Sequence, residues 1–354
     1  MLKRVLVFVL FLFIFAYPAR AIYEPLSVPN NKFGIHILEP SELEKASELV
    51  GIWGYVTIPI RANDRDLEKW SKFMSDCRRF KLIPIMRIAS FPVGDHWMAP
   101  NEYDLVDFAN FLNELSWPTK NRYVVVYNEP NHEGEWGGFV YPEEYARVLD
   151  RAIDIFHQRN SDFFVIAAGM DASAANLSES MSSSEYERIM DKTIPGIFEK
   201  VDGLAYHAYG NPAFSTYPNT YSKVNILSYK YEFSYDSKKP IFITEAGWKY
   251  GGWYKTAFED YWTDENIVAI TPFLLSAHAG PFMDFSFTNS DGSFKNFAVE
   301  IKNMSKTDGN PQIAEIPKPA TIDRPWTGSL PQILKNDWIT SWVSGLLNML
   351  TEKN

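Results

Sequence analysis

Arg122-Tyr123-Val124-Val125-Val126-Tyr127-Asn128-Glu129-Pro130 decides how the rest of this chain is read. An apolar, β-branched run fits one buried strand, and it stops by presenting an amide and a carboxylate ahead of a proline. The pattern returns in Ile241-Phe242-Ile243-Thr244-Glu245-Ala246-Gly247-Trp248, with Glu245 lying 116 positions after Glu129. Each segment reads as a strand that delivers a glutamate at its end.

Outward from these two segments, strand-like runs alternate with helical patterns. The runs are 33–38, 55–60, 82–88, 122–127, 163–168, 201–207, 241–245 and 267–275. Ser41 and Glu44 have the form of a capping box opening the first helix. Further helices are expected near 64–80, 102–116, 143–159 with Pro142 in its first turn, 184–200, 221–237, 254–262 and 294–304. Eight successive β-then-α units predict an α/β fold, a (β/α)8 TIM barrel. A doubly wound open sheet would carry a Gly-rich phosphate loop after an early strand, and none is present. No cofactor is expected.

A length of 354 residues suits such a barrel, and 46% hydrophobic residues supply its core. The first 21 residues have the form of an export signal: Lys3-Arg4, an apolar stretch over 5–17, then Ala19-Arg20-Ala21. The apolar stretch is too short to span a bilayer. Cleavage after Ala21 is expected, giving a secreted or cell-surface protein. Cys77 is the sole cysteine, so no intrachain disulfide can form. The net charge of −10 disfavours nucleic acid and anionic membrane surfaces as partners. The barrel is assigned to residues 22–304. The segment 305–354 contains Pro311, Pro317, Pro319, Pro325 and Pro331, the signature of an extension, then a short apolar helix over 338–350. Packing on the barrel, a membrane surface and a docked partner are all open to that helix. The chain is expected to act as a monomer.

In a barrel of this kind the C-terminal ends of the strands converge on one mouth. The residues ending the runs are His36, Arg61, Arg87, Asn128, Glu129, His207, Tyr209 and Glu245. Two carboxylates at one mouth suit glycosidic bond hydrolysis, in which one protonates the leaving oxygen and the other attacks or stabilises the sugar cation. The acid needs a raised proton affinity, from burial or from the other carboxylate. The nucleophile needs donors, for which Tyr209, His207 and Arg61 are candidates. Flat aromatic rings suit sugar faces, and Trp136 and Trp248 are the expected stacking platforms. His132, Glu133 and Glu135 cluster after the first glutamate, but their spacing fits no zinc pattern, and no metal is expected.

Asn128-Glu129-Pro130 combined with Thr244-Glu245-Ala246-Gly247-Trp248 and Tyr206-His207-Ala208-Tyr209 resembles the clan A glycoside hydrolases, including the family 5 and family 39 groups, over roughly residues 33–304. Asp284-Phe285-Ser286-Phe287 resembles the end of those barrels. The resemblance implies a retaining β-glycosidase acting on a carbohydrate, with Glu129 as acid/base and Glu245 as nucleophile. It implies that Asn128 hydrogen-bonds the sugar 2-hydroxyl and that Arg61 pairs with Glu245. His36 and Arg87 would line the cleavage subsite or brace the acid/base. The sequence departs from the pattern at strand eight, where Thr271-Pro272-Phe273-Leu274-Leu275-Ser276 has no Trp. Phe285 or Phe287 is the expected substitute. A carbohydrate-binding barrel that has lost turnover is the alternative to the enzyme.

Overall fold

The computed structural model describes residues 22–218 and 222–315. The expected signal segment and the expected helix over 338–350 lie outside the described residues.

Eight strands form one parallel sheet in sequence order: β1 Gly34–His36, β2 Gly54–Arg61, β3 Leu82–Ala89, β4 Arg122–Val126, β5 Phe163–Ala167, β6 Gly203–Tyr209, β7 Ile241–Gly247 and β8 Ile267–Ile270. The sheet closes on itself. Phe33 bridges Ile270 in parallel, and the His36 N–H donates to the Pro272 carbonyl at 2.9 Å. This is the (β/α)8 barrel that the alternation of elements predicts.

Side chains on a strand alternate between faces, so every second residue points to the barrel axis. Tyr55, Ile83, Ile85, Tyr123, Val125, Phe164, Ile166 and Phe242 fill that interior. The intervening residues, such as Val56, Ile58, Met86, Val124 and Ile243, pack outward against the helices. Burying one such large aliphatic side chain contributes about 1.5–3 kcal/mol. Ile22 and Leu26 cover the bottom layer, and Asn121 ties that segment down through paired bonds with the Tyr23 backbone. Residues 305–315, read as the start of an extension, also lie along the barrel bottom, where Thr119 bridges Ile313. Interior packing and these segments fill the bottom of the barrel. The upper mouth is left open.

Helices α1 Leu43–Val50, α2 Leu67–Phe80, α3 Glu102–Glu114, α4 Pro142–Arg159, α5 Ser183–Thr193, α6 Ile197–Lys200, α7 Tyr254–Thr256 and α8 Asn296–Asn303 lie in the connections. Four local expectations are corrected. Ser41 does not cap α1. The carboxylate of Glu42 takes the Leu38 and Glu39 N–H groups instead, at the end of a 3-10 turn that begins at Pro40. The helix expected at 184–200 is broken after Thr193, where Pro195 cannot continue it and Gly196 turns left-handed at φ 76°. The helix expected at 221–237 is absent among the described residues, leaving a 3-10 turn at Ser228–Tyr231. Asn225 and Ser234 there engage backbone and carboxylate groups nearby, which competes with helix formation. The helix expected at 254–262 is a single α-turn followed by a π-turn at Ala257–Tyr261. Among the described residues, no helix is long and apolar enough to cross a membrane.

Candidate active site

A cavity of about 400 Å³ opens at the C-terminal mouth, with Arg87, Asn128, Glu129, Tyr209 and Glu245 in its walls. Two local departures from regular strand geometry aim its carboxylates. On β7, Phe242 faces the axis, so strict alternation would send Thr244 inward and Glu245 out. The pairing instead steps from Tyr206↔Ile243 to His207↔Glu245, so Thr244 is an extra residue. This bulge turns Glu245 back to the axis. After β4, Tyr127 and Glu129 take left-handed backbone angles, φ 70° and φ 32°. Such conformations cost a non-glycine residue about 1–3 kcal/mol and persist only where the surroundings enforce them. Here the Glu129 N–H is held by the Gly169 carbonyl at 3.1 Å, and the Tyr127 ring meets Trp136 edge-on.

The two glutamates sit in different surroundings. Glu245 is the more enclosed, its side chain 8% exposed against 20% for Glu129. Arg87 donates to Oε1 of Glu245, and the Tyr209 hydroxyl donates to Oε2 at 2.7 Å. Burial alone would raise the Glu245 proton affinity, but His207, Arg87, His36 and the Tyr209 hydroxyl together bring its pKa down to about 2. It is ionised at any ordinary pH. Glu129 Oε1 lies 2.6 Å from Nδ1 of His207. Burial opposes charge on His207, yet Glu245 and Glu129 outweigh it and raise its pKa. His207 can approach this closely because residue 169 is glycine: a Cβ there would lie 2.4 Å from its Cδ2.

His36 is fully buried, with Nδ1 3.7 Å from Glu245 Oε1. Burial, then Arg87, hold its pKa down to about 3, so it is neutral and makes no ion pair. Donor atoms of Glu129, His207 and Glu245 lie within 4.8 Å of one another, close enough to surround a cation. The same atoms are already engaged with each other, with Tyr209 and with the Arg87 guanidinium, whose charge would repel a metal. The trio fits a hydrogen-bonded acid pair better than a ligand set.

The site gathers His36, Arg87, Asn128, Glu129, His207, Tyr209 and Glu245, but three expected contacts are corrected. Arg87, not Arg61, meets Glu245. In the β2–β3 register Arg87 stands opposite Pro59 and Arg61 opposite Ala89, so Arg61 lies one inward step above the carboxylates. Its guanidinium sits over the Trp97 ring, 5.7 Å from the centroid. Trp136 and Trp248 are not platforms, since both are buried. The Trp136 indole donates to Glu144 at 2.8 Å, and that of Trp248 to the Thr216 carbonyl at 2.8 Å. They anchor the loops after β4 and β7. Of the two phenylalanines, Phe285 lines the cavity with Phe273, whereas Phe287 is buried against Tyr254 and Phe297.

The tryptophan the cavity does present is Trp97, on a two-stranded ribbon of Pro92–Val93 and His96–Trp97 beyond β3. Gly94-Asp95 between short β-forming stretches is a hairpin signal that could have found it. A second, wider opening of about 650 Å³ shares Trp97, Glu129 and Glu135 with the first. Glu135 follows β4 in a 3-10 turn, and its pKa is pushed up to about 7, first by burial and then by the charge of Glu129.

No family model matches the chain, and no curated protein matches it in sequence. Solved structures do match in fold. A β-mannanase from Streptomyces thermolilacinus superposes with TM-score 0.51 at 11% identity, covering 78% of this chain and 87% of that one. An exo-β-1,4-mannosidase from Opitutaceae bacterium strain TAV5 gives 0.52 at 11% identity, over 80% and 61% of the two chains. A glucosidase from Croceicoccus marinus gives 0.50 at 12% identity, over 77% and 68%. The chain thus shares the barrel fold of these carbohydrate-active proteins, the fold that its resemblance to clan A glycoside hydrolases implies.

Proposed function

We propose that the protein is a retaining β-glycosidase that cleaves O-glycosidic bonds of an oligo- or polysaccharide. The observation that carries this reading is the spacing of the two carboxylates, whose facing oxygens lie within 4.8 Å at the mouth of the barrel. Retaining enzymes hold their carboxyl groups about 5–5.5 Å apart, while inverting ones need about 6.5–9.5 Å to admit a water.

Glu245, ionised and held by Arg87 and Tyr209, attacks the anomeric carbon of a sugar in the inner cavity. Glu129 gives its proton to the glycosidic oxygen as that C–O bond breaks. A water then gives its proton to Glu129 while its oxygen displaces Glu245 from the anomeric carbon, which restores both groups. Glu129 borders both openings and Glu245 only the inner one, so the wider opening takes the leaving sugar. Asn128 sits beside both glutamates, where it can bind a sugar hydroxyl. The neighbours named above are a mannanase, a mannosidase and a glucosidase, so β-1,4-mannan and β-glucan fragments head the candidate substrates.

The reading is tested with aryl β-glycosides and β-mannan, β-glucan and xylan oligosaccharides, comparing wild type with Glu245→Gln and Glu129→Gln. Turnover lost by at least about 10³-fold in Glu245→Gln, with retention of β-configuration by NMR, is expected. Glycan binding without turnover in all three proteins would favour the carbohydrate-binding barrel. We further propose export through residues 1–21, checked by N-terminal sequencing of the mature protein for a start at Ile22.

A further inference from the structure

The inner cavity is polar at one end and apolar at the other. Arg87, Asn128, Glu129, Asp171 and Glu245 reach it from β3, β7 and the ends of β4 and β5. Among the described residues, every lining side chain that follows β1 or β8 is apolar: Leu38, Phe273, Phe282 and Phe285. Phe214, after β6, joins them. In the closed sheet β8 stands across the barrel from β4, so this wall lies opposite the wider opening that follows β3 to β5. Phe273, Leu274 and Phe285 form an apolar cluster apart from the main core, with Leu38 and Phe214 packed on it. The rings do not make a flat platform. Phe273 crosses Phe282 at 85° with centroids 5.1 Å apart, and Phe285 at 73° and 6.0 Å. Phe214 crosses Phe285 at 84° and 5.3 Å. Planes crossed in this way enclose a concave corner, which suits a compact apolar group better than the broad face of a pyranose. The Tyr209 hydroxyl is engaged by Glu245 at 2.7 Å, and His36, edge-on to Phe273, is fully buried and does not line the cavity.

Resting on the glycosidase reading, we propose that the sugar cleaved here is a 6-deoxy pyranose, whose C5 methyl group sits in the corner formed by Phe273, Phe282 and Phe285. With C1 at Glu245 and the leaving oxygen at Glu129, the far end of the ring points away from the wider opening, toward β8 and β1. The C5 substituent reaches further from the ring than any hydroxyl. A hydroxymethyl group in the corner gives up its bonds to water and finds no donor or acceptor on these side chains, whereas a methyl group gives up none. An apolar pocket of this kind discriminates against an added hydroxyl by up to about 100-fold. Hydroxyls nearer the cleaved bond stay on the polar side, within the reach of Asn128 and Asp171.

The test compares 4-nitrophenyl β-D-glucoside, mannoside and galactoside with their 6-deoxy counterparts, so that each pair differs only in the oxygen at C6. A kcat/KM about 10–100-fold higher for the 6-deoxy member is expected in the pair that is turned over best. An equal or lower value there overturns the proposal. Phe282 is 46% exposed, so Phe282→Ala removes one wall of the corner with little effect on folding. It should shrink the preference at least about threefold, and an unchanged ratio in the folded variant overturns the placement. A second measurement does not need turnover. In saturation-transfer NMR of Glu245→Gln with the three 6-deoxy glycosides, the C6 methyl protons should receive more saturation than the sugar ring protons. A methyl signal weaker than theirs overturns the proposal. A wild type inactive on every glycoside would overturn the functional reading instead, and the methyl signal would still decide what the corner holds.

Discussion

Replacing Arg87 with methionine tests the electrostatic design of the site most directly. The side chain is 12% exposed, and its guanidinium bonds both Glu245 and Asn128. Methionine keeps most of the apolar stem and removes the charge. Lowering the Glu245 pKa from 4.5 to about 2 corresponds to about 3 kcal/mol of stability at neutral pH. The sign follows from the direction of the shift. The folded-state pKa is depressed, so this stability is present above about 4.5 and is lost as pH falls toward 2. Arg87 is the second of the groups that lower it, after His207. Removing one partner of a buried pair typically costs about 3–5 kcal/mol, and His207 and Tyr209 remain to limit the loss. Arg87→Met is therefore expected to lose about 2–3 kcal/mol at pH 7 by urea denaturation and much less at pH 3, where Glu245 is partly neutralised in the variant. The acid limb of kcat/KM should rise by about one to two pH units, because the nucleophile becomes easier to protonate. Equal destabilisation at pH 3 and pH 7, together with an unmoved acid limb, would refute the assignment of Arg87 as the cation that holds Glu245 ionised.

Other consequences follow from the same geometry. Trp97→Ala should raise KM for oligosaccharides about three- to tenfold with little change in melting temperature, as expected for loss of one half-buried ring at the cavity wall; Trp136→Ala should instead destabilise by about 3–5 kcal/mol in thermal melts. Gly169→Ala places a methyl group 2.4 Å from the His207 ring and should cut turnover at least about tenfold while far-UV circular dichroism stays native. Glu232 is buried against Glu187, and burial followed by the Glu187 charge pushes its pKa well above 4.5. A raised acid loses stability as pH climbs past its unfolded value, so Glu232→Gln should be more stable than wild type at pH 8, by about 1–2 kcal/mol, and no more stable at pH 4. Melting curves from pH 4 to 9 read this directly, and destabilisation at every pH would contradict it.

The barrel was legible because its signal is summed over many residues. Runs such as Tyr123 to Val126 and Ile241 to Ile243 admit one reading, and their alternation with helical patterns leaves few architectures. The connections were less legible. Between β6 and β7 the decisive events are individual bonds, such as Ser234 to Glu187 across 47 residues, and local propensity cannot weigh these against a helix. Trp136 and Trp248 show the same limit. Proximity in sequence to a strand end says nothing about the direction of a ring, and each buried indole found its acceptor elsewhere, Trp136 on the first turn of α4 and Trp248 on the loop after β6. The tryptophan that does line the cavity is Trp97, which is remote in sequence and is carried there by a hairpin.

Arg61 and Arg87 carry this point further. Both end apolar strands, both face inward, and nothing in their flanking residues separates them. The choice between them is made by the shear of the sheet, which sets Arg87 opposite Pro59 and leaves Arg61 one inward step higher. The bulge at Thr244 acts in the same way on Glu245, since a strand of perfect alternation would have buried that carboxylate among the helices. A strand-end reading therefore identifies which residue types reach the mouth. Register and bulges, which are properties of neighbouring strands taken together, decide which of them touch. If this is right, deleting Thr244 makes Glu245 the residue after the outward-facing Ile243, which plain alternation still turns to the axis, so turnover should fall but persist; complete loss in a protein of native far-UV circular dichroism would contradict the reading of Thr244 as the extra residue.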